Sequence, residues 1–226
     1  MSQTQKTFSP IDGSAYVESS LADLDQVTNT VALAAKAQVE WSKTSLAERK
    51  AICSRAIEAF ESNKDQIAQE LCWQMGRPIR YAAGEVASFA DRGRYILSVA
   101  EEALAPLQTS EKAGFERYIT REPVGVVLVI APWNYPLHTP INAILPALLA
   151  GNSVILKHSA QTPLCAERIV EAFRKGGVPE GVIQFIHASH ENTAMIIKSP
   201  KVGAVAFTGS VAGGISVENS AAGRFI

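Results

Sequence analysis

The chain has 226 residues, of which 47% are hydrophobic and 19% charged, and its formal net charge at pH 7 is -1. This composition predicts a globular chain with a sizeable core and excludes an intrinsically disordered one. A nearly neutral chain gives no basis for nucleic-acid binding, which needs a concentrated basic surface. Short basic stretches such as Glu48-Arg49-Lys50 are mixed with acids, which is typical of a solvated helix face.

The three cysteines, Cys53, Cys72 and Cys165, are too few and too widely spaced to predict a disulfide framework or a zinc site. The four histidines form no metal-ligand pattern, so no metal site is expected. Residues 1–13 are polar and lack an apolar signal core, and the longest apolar runs are too short to span a bilayer. We therefore expect a soluble, cytoplasmic protein without membrane contact.

The first hundred residues are predicted to be helical. Apolar residues recur at three- and four-residue spacing from Leu24 to Trp41, which predicts an amphipathic helix. Ser45 and Glu48 have the spacing of a capping box, which predicts that a second helix begins there. A third helix is expected to end at Gly76, and the pattern from Arg80 to Ala103 predicts one long helix. We expect these helices to pack on the sheet that follows.

The pattern changes to strands in the second half of the chain. Large and charged residues alternate from Gly114 to Glu122, which predicts a strand with one wet face. Four β-branched runs follow, at Val124–Ile130, Ser153–Lys157, Val182–Ile186 and Gly203–Phe207. They are separated by helical segments at Leu137–Leu149, Leu164–Lys175 and Glu191–Lys198. The predicted fold class is therefore α/β, a parallel Rossmann-like sheet of right-handed βαβ units preceded by an N-terminal helical segment.

Ligands of open parallel sheets bind beyond the carboxyl ends of the strands. The segments to consider are therefore Ala131–Pro136, Lys157–Ala160, His187–His190 and Thr208–Ser210. By pattern alone, Asn134 is a cap for the helix opening at Leu137, and Lys157 is an ordinary strand-end lysine. Trp133 is equally compatible with a core position and with the wall of a ligand site.

Five segments in this order resemble signatures of the aldehyde dehydrogenase superfamily. They are Glu122-Pro-Val-Gly125, Ala131-Pro-Trp-Asn-Tyr-Pro136, Lys157 with Gln161-Thr-Pro163, Gly177-Val-Pro-Glu-Gly181 and Phe207-Thr-Gly-Ser210. The resemblance runs from about residue 10 to Gly214. It implies a truncated aldehyde dehydrogenase-like fold in which residues 1–226 form an incomplete NAD(P)-binding domain. Within that domain the resemblance implies a helical portion at 1–108, an oligomerisation-type strand at 113–122 and the βαβ sheet portion at 123–226.

Members of that family oxidise an aldehyde to a carboxylic acid through a cysteine thioester, with NAD or NADP as hydride acceptor. The resemblance implies that Asn134 donates a hydrogen bond to the oxyanion, which favours this role over the capping role. It also implies an aldehyde substrate and, for the full-length protein, a homo-oligomer, either dimer or tetramer. The cofactor-binding residues implied are Ile130, Ala131, Pro132, Trp133, Lys157, Ser159, Ala160, Phe207, Thr208, Gly209 and Ser210.

The chain departs from the family pattern after its second buried strand. Ala160 stands where many NAD-dependent members have a ribose-binding glutamate that repels a 2′-phosphate, so we hypothesise that the pocket tolerates NADP. His158 stands where proline is common and is a candidate cationic or hydrogen-bonding partner. His187 and His190 are interpreted as surface or packing residues.

The general-base glutamate and nucleophilic cysteine segments of full-length members have no counterpart in these residues. The three cysteines are expected to be small core residues, so the chain as given is expected to be inactive alone. Three hypotheses follow: the N-terminal portion of an NAD(P)-dependent aldehyde dehydrogenase, a nucleotide-binding or subunit-pairing module without turnover, or a truncated, non-functional product. The last would expose a sheet edge and apolar helix faces that favour aggregation.

Overall fold

The structure, a computed structural model, describes residues 3–226. Its strands are β1 (Thr4–Phe8), β2 (Ala15–Ser20), β3 (Leu107–Gln108), β4 (Tyr118–Ile119), β5 (Val126–Ala131), β6 (Ser153–His158), β7 (Ile183–Phe185) and β8 (Val202–Phe207). Its helices are α1 (Leu24–Trp41), α2 (Leu46–Ser62), α3 (Lys64–Met75), α4 (Ile79–Leu104), α5 (His138–Leu149), α6 (Pro163–Gly176), α7 (His190–Lys198) and α8 (Val211–Ala221). No helix in this part of the chain is long and apolar enough to cross a membrane.

The predicted helices of the N-terminal segment are present with nearly the expected bounds. Ser45 accepts a hydrogen bond from the Glu48 amide at 3.2 Å, and the Glu48 carboxylate accepts from the Ser45 amide at 3.2 Å, as a capping box requires. α3 ends at Gly76, whose φ of 74° is the left-handed conformation that glycine adopts without a steric penalty. The prediction that the first hundred residues are entirely helical was wrong, because β1 and β2 form an antiparallel hairpin ahead of α1. Two short strands linked by a turn bury little surface, so their apolar pattern is weak.

The α/β prediction is confirmed. Strands β5 to β8 form one parallel sheet in the order β7-β6-β5-β8. Side chains alternate between the two faces of β5: Val127, Val129 and Ala131 join a core with α2 to α6, whereas Leu128 and Ile130 join a core on the side of α1 and α7. Burial on both faces explains the continuous apolar runs of the sequence.

The helical segment packs directly on the sheet portion. α2 lies against α6 so closely that a Cβ added at Gly176 would lie 2.5 Å from the amide nitrogen of Ala56. The indole of Trp41 is buried and donates to the carbonyl oxygen of Leu148 at the end of α5 at 2.9 Å. The two parts of the chain therefore share one core.

The prediction of a solvated helix face at residues 48–50 was wrong for Arg49. Its side chain is buried, and its Nε donates to the carbonyl oxygen of Leu149 at 2.9 Å, while the guanidinium also binds the carbonyl oxygen of Thr44. A cation at this position satisfies a carbonyl that the end of α5 leaves without a helical partner. The contact joins residues about a hundred positions apart, so local charge mixing carries no sign of it.

The strand predicted from Gly114 to Glu122 is much shorter than expected. Only Tyr118 and Ile119 are in strand conformation, and they pair antiparallel with Leu107 and Gln108. All four residues are exposed. Because neither strand buries a face in the core, no packing favours a longer strand pairing here.

The close contact of α2 and α6 predicts that Gly176→Ala lowers the free energy of unfolding by about 2 kcal/mol or more, because backbone atoms of Ala56 cannot move aside. Gly84→Ala is the matched control, since a Cβ at this helical position meets nothing within 4 Å and should raise stability by up to about 1 kcal/mol. Urea denaturation of both variants checks the prediction. Equal free energies of unfolding for the two variants would contradict it.

Candidate functional site

A cleft of about 530 Å³ opens at the carboxyl edge of the sheet. The chain leaves β5 to form β6 and β7 on one side and then returns to form β8 on the other side of β5. The cleft lies between β5 and β8, at this topological switch point of the sheet. From the strand ends and loops it is lined by Ile130, Ala131, Pro132, Trp133, Asn134, Lys157, Ser159, Phe207, Thr208, Gly209 and Ser210. From the helices it is lined by His190, Thr193, Ala194, Ile197, Gly213, Ser216, Val217 and Ser220.

Lys157 is the cation of the cleft. It is half-buried at the end of β6, and no ion-pair or hydrogen-bond partner for its ammonium is found among residues 3–226. Burial lowers the pKa of this lysine from its ordinary value. The lining residues include no carboxylate, so the electrostatics of the cleft favour an anionic ligand.

Asn134 lies in the loop 132–137 between β5 and α5 and is exposed toward the same cleft. Its side-chain oxygen accepts from the amide of Tyr135 at 3.0 Å. That contact leaves the side-chain NH₂ group as the free donor of the amide. The capping role is wrong, because α5 has Leu137 at its N-cap and no side-chain cap.

The loop 132–137 is held on one side by Arg77 and Glu85. A Glu85 oxygen accepts from the Leu137 amide at 3.1 Å and thereby satisfies the start of α5. Arg77 pairs with the other Glu85 oxygen at 3.0 Å and donates to the backbone oxygen of Asn134 at 2.8 Å. Burial raises the pKa of Glu85, while the Leu137 amide and Arg77 act in the opposite direction.

His158 holds the loop on the other side. Its Nε2 lies 2.9 Å from the carbonyl oxygen of Pro136, and its Nδ1 lies 3.0 Å from the amide nitrogen of Ser159 and 3.1 Å from the hydroxyl of Thr162. The ring is buried, and burial lowers its pKa to about 4. Of the two roles predicted for His158, the cationic one is wrong, because the buried imidazole is neutral. Its hydrogen bonds go to protein groups.

The turn after β8 brings the N-terminus of α8 next to the cleft, where Thr208, Gly209 and Ser210 line the wall. Ser210 is the N-cap of α8 and accepts from the Gly213 amide at 3.1 Å, which leaves the amides of Val211 and Ala212 without an intrahelical acceptor. A Cβ at Gly209 would lie 2.6 Å from the ring of Phe207. A side chain at position 209 would therefore force the half-buried ring of Phe207 to shift.

Ten of the eleven residues predicted to bind the cofactor line the cleft, together with Asn134, and Ala160 does not. The backbone oxygen of Ala160 accepts from the hydroxyl of Thr7 at 2.7 Å, which turns this residue toward β1. The walls formed by α7 and α8 were not predicted from the sequence, and they include His190, which was expected to be a surface or packing residue. The small residues Gly213, Ser216 and Ser220 on one side of α8 were the available signal.

None of the three cysteines lines the cleft, and all three are buried. Burial raises the pKa of the Cys53 thiol to about 12 and also raises those of Cys72 and Cys165. Neutral thiols in a core are poor nucleophiles. Among residues 3–226 no group of three His, Cys, Asp or Glu side chains is arranged to hold a metal ion.

A smaller cavity of about 260 Å³ lies on the other side of the loop 132–137. Its wall includes Arg77, Tyr81, Tyr135 and His138, so it combines aromatic surface with groups that donate hydrogen bonds. The loop that carries Asn134 therefore separates two cavities of different character.

The family model described as the aldehyde dehydrogenase family matches residues 1–226. The chain is 33% identical to an aldehyde dehydrogenase of Paenarthrobacter nicotinovorans over 205 residues, 89% of this chain and 44% of that protein. It is 31% identical over 213 residues to succinate-semialdehyde dehydrogenase [NADP(+)] 1 of Mycobacterium tuberculosis, 93% of this chain and 47% of that protein.

A similar solved structure is an NAD-dependent benzaldehyde dehydrogenase from Corynebacterium glutamicum, with a TM-score of 0.91 and 30% identity. The match covers 98% of this chain and 48% of that one. The chain thus spans about half the length of the relatives that it matches.

The buried neutral His158 predicts an acid-sensitive free energy of unfolding. Its pKa of about 4 lies below the ordinary 6.5, so the unfolded chain binds the proton first and stability falls as pH drops from 6.5 toward 4. This group alone should cost about 2 kcal/mol between pH 7 and pH 4.5. Urea denaturation at both pH values checks this, with His158→Gln as the control that lacks the titration. An equal loss of stability in both proteins would contradict the assignment.

Proposed function

The chain belongs to the aldehyde dehydrogenase family, an oxidoreductase family, and we propose that it supplies nucleotide binding and the oxyanion donor for oxidation of an aldehyde. The observation that carries the proposal is the convergence of two groups on one cleft. The ammonium of Lys157 and the amide of Asn134 come from the ends of two neighbouring strands and line the same space.

The volume and charge of the cleft support the binding of a dinucleotide. Its volume of about 530 Å³ lies within the range of small-molecule sites. Lys157 would bind the ribose hydroxyls, and the amides at the start of α8 would bind the pyrophosphate. Gly213, Ser216 and Ser220 of α8 line the cleft with small residues, which would leave room for an aromatic base. A bound nicotinamide would accept the hydride.

Asn134 is suited to stabilise a tetrahedral oxyanion. Its donor is neutral, its oxygen is engaged by the Tyr135 amide, and its backbone is held by Arg77. A preorganised donor needs no rearrangement as charge develops on the substrate oxygen. The smaller cavity across the loop, next to Tyr135, would receive the organic part of the aldehyde.

The thiol nucleophile would come from outside these 226 residues. The three cysteines are buried away from the cleft, and their pKa values are raised. We therefore propose that the chain does not turn over aldehyde alone and acts with a longer polypeptide or a partner subunit. The same observation favours the alternative of a nucleotide-binding or subunit-pairing module, and the exposed side chains of Leu107, Phe115, Tyr118 and Ile119 support pairing.

Both NAD and NADP are proposed as cofactors. The Mycobacterium relative is named for NADP(+), and the Corynebacterium structure is described as NAD-dependent. In this chain, Ala160 provides no carboxylate next to Ser159, and the cleft has none elsewhere among its lining residues. Without an acid, a 2′-phosphate meets no like charge and has Lys157 nearby.

Nucleotide binding by the 226-residue chain tests the proposal. We expect saturable binding of both NADH and NADPH, followed by nicotinamide fluorescence. Lys157→Met should weaken binding about tenfold or more, because it removes a charge-assisted donor while keeping the apolar stem. Lys64→Met, which removes an exposed lysine of α3 far from the cleft, is the matched control and should leave both affinities unchanged.

Two outcomes would count against these proposals. A folded chain that binds neither nucleotide would exclude the proposed function. Binding of NADH with no detectable binding of NADPH would leave the function standing but exclude NADP tolerance.

Asn134→Ala is expected to lower the turnover number about 100- to 1000-fold in the polypeptide or complex that supplies the thiol. Nucleotide affinity should not change, because the lost donor faces the developing oxyanion. Steady-state kinetics with a fixed aldehyde, combined with NADH titration, measures both quantities. Asn29→Ala on the exposed face of α1 is the matched control. A fall in nucleotide affinity that accounts for the whole effect would exclude the oxyanion role.

A further inference from the structure

His158 connects the two loops that carry the proposed functional groups. It directly follows Lys157 at the end of β6, and side chains alternate along a strand, so the two residues point to opposite faces. Lys157 faces the cleft, whereas the ring of His158 is buried beneath it and reaches Pro136 in the loop 132–137. The imidazole thus lies between the cation of the cleft and the loop of Asn134.

The hydrogen-bond partners assign the tautomer of this ring. Pro136 offers only a carbonyl oxygen, so Nε2 carries the proton and donates to it. The amide of Ser159 can only donate, so Nδ1 is unprotonated and accepts. The hydroxyl of Thr162 donates to the same nitrogen. The Lys157 ammonium also lowers the pKa of His158 and so disfavours a second proton on the ring.

We infer that His158 is a positioning residue. Its Nε2–H bond to Pro136 holds the loop of Asn134 at a fixed position relative to Lys157. Proline, which the family commonly has here, could not make this bond, since it has no side-chain donor. The opposite side of the loop is held by Arg77 and Glu85, so loss of the His158 bond should loosen the loop without unfolding it. The consequence for ligand binding rests on the proposed function.

Two substitutions separate the functions of the two ring nitrogens. In His158→Gln the side-chain NH₂ reaches about as far as Nε2 and can still donate to Pro136. In His158→Asn the shorter side chain reaches only the position of Nδ1, so the bond to Pro136 is lost. Thr162→Val is a further control, because it removes a partner of Nδ1 and leaves the Pro136 bond intact.

The first measurement needs no ligand. Amide hydrogen exchange of Tyr135 and Leu137 is compared in the 226-residue chain and its variants. Exchange should be about fivefold faster in His158→Asn, since one hydrogen bond of ordinary strength is lost. It should remain near the starting value in His158→Gln and Thr162→Val. Equal exchange in the Asn and Gln variants would overturn the inference, as would faster exchange in Thr162→Val alone.

The second measurement separates positioning from a general loss of structure. In the proposed function NADH would contact both loops, so His158→Asn should weaken NADH binding by about fivefold and leave AMP binding unchanged. His158→Gln should restore NADH binding. Equal weakening of NADH and AMP would overturn the positioning role. If the unsubstituted chain binds neither nucleotide, the proposed function fails, and the exchange comparison still decides the role of His158.

Discussion

The buried carboxylate of Glu85 holds the start of α5 and the guanidinium of Arg77 together, and the geometry of the site depends on this contact. Through Arg77 the same pair fixes the backbone of Asn134. A buried ion pair contributes little net stability, because desolvation of both charges offsets their attraction, but removal of either partner leaves a buried charge alone. The pair therefore acts mainly to select one conformation of the loop, and His158 holds that loop from the sheet side.

The position of the loop 132–137 is set by the sheet, because the loop directly follows β5. β5 is buried on both faces and has β6 on one side and β8 on the other, so the chain diverges at its carboxyl end and leaves a cleft there. In the N-terminal segment, α2 to α4 lie on one side of the sheet and α1 lies on the other. The link between α3 and α4 supplies Arg77, and α4 supplies Glu85. Helix packing and loop positioning are thus linked, because Arg77 and Glu85 hold the loop of the candidate site although none of residues 3–100 lines the cleft.

The groups that line the cleft and the buried cysteines differ in the chemistry that they can support. The cleft has the cation of Lys157 and the neutral amide donor of Asn134, which are the groups that the proposed nucleotide and oxyanion roles require. The thiols lie in the core with raised pKa values, where they contribute packing. The chain spans about half the length of the relatives it matches, and the chemistry of its residues supports the binding half of the family's reaction.

The sequence by itself determined the parallel sheet, the long helices and most of the strand-end residues of the cleft. These features depend on local periodicity and on short motifs such as residues 131–136. A few neighbouring residues are enough to define each of them. Only the tertiary structure decided that Arg49 is buried, that His158 is a neutral bridge and that Ala160 turns toward β1. It also decided the walls of the cleft on α7 and α8. Each of these depends on partners far apart in the chain, and the burial that sets their chemistry arises only when the helices and the sheet pack together.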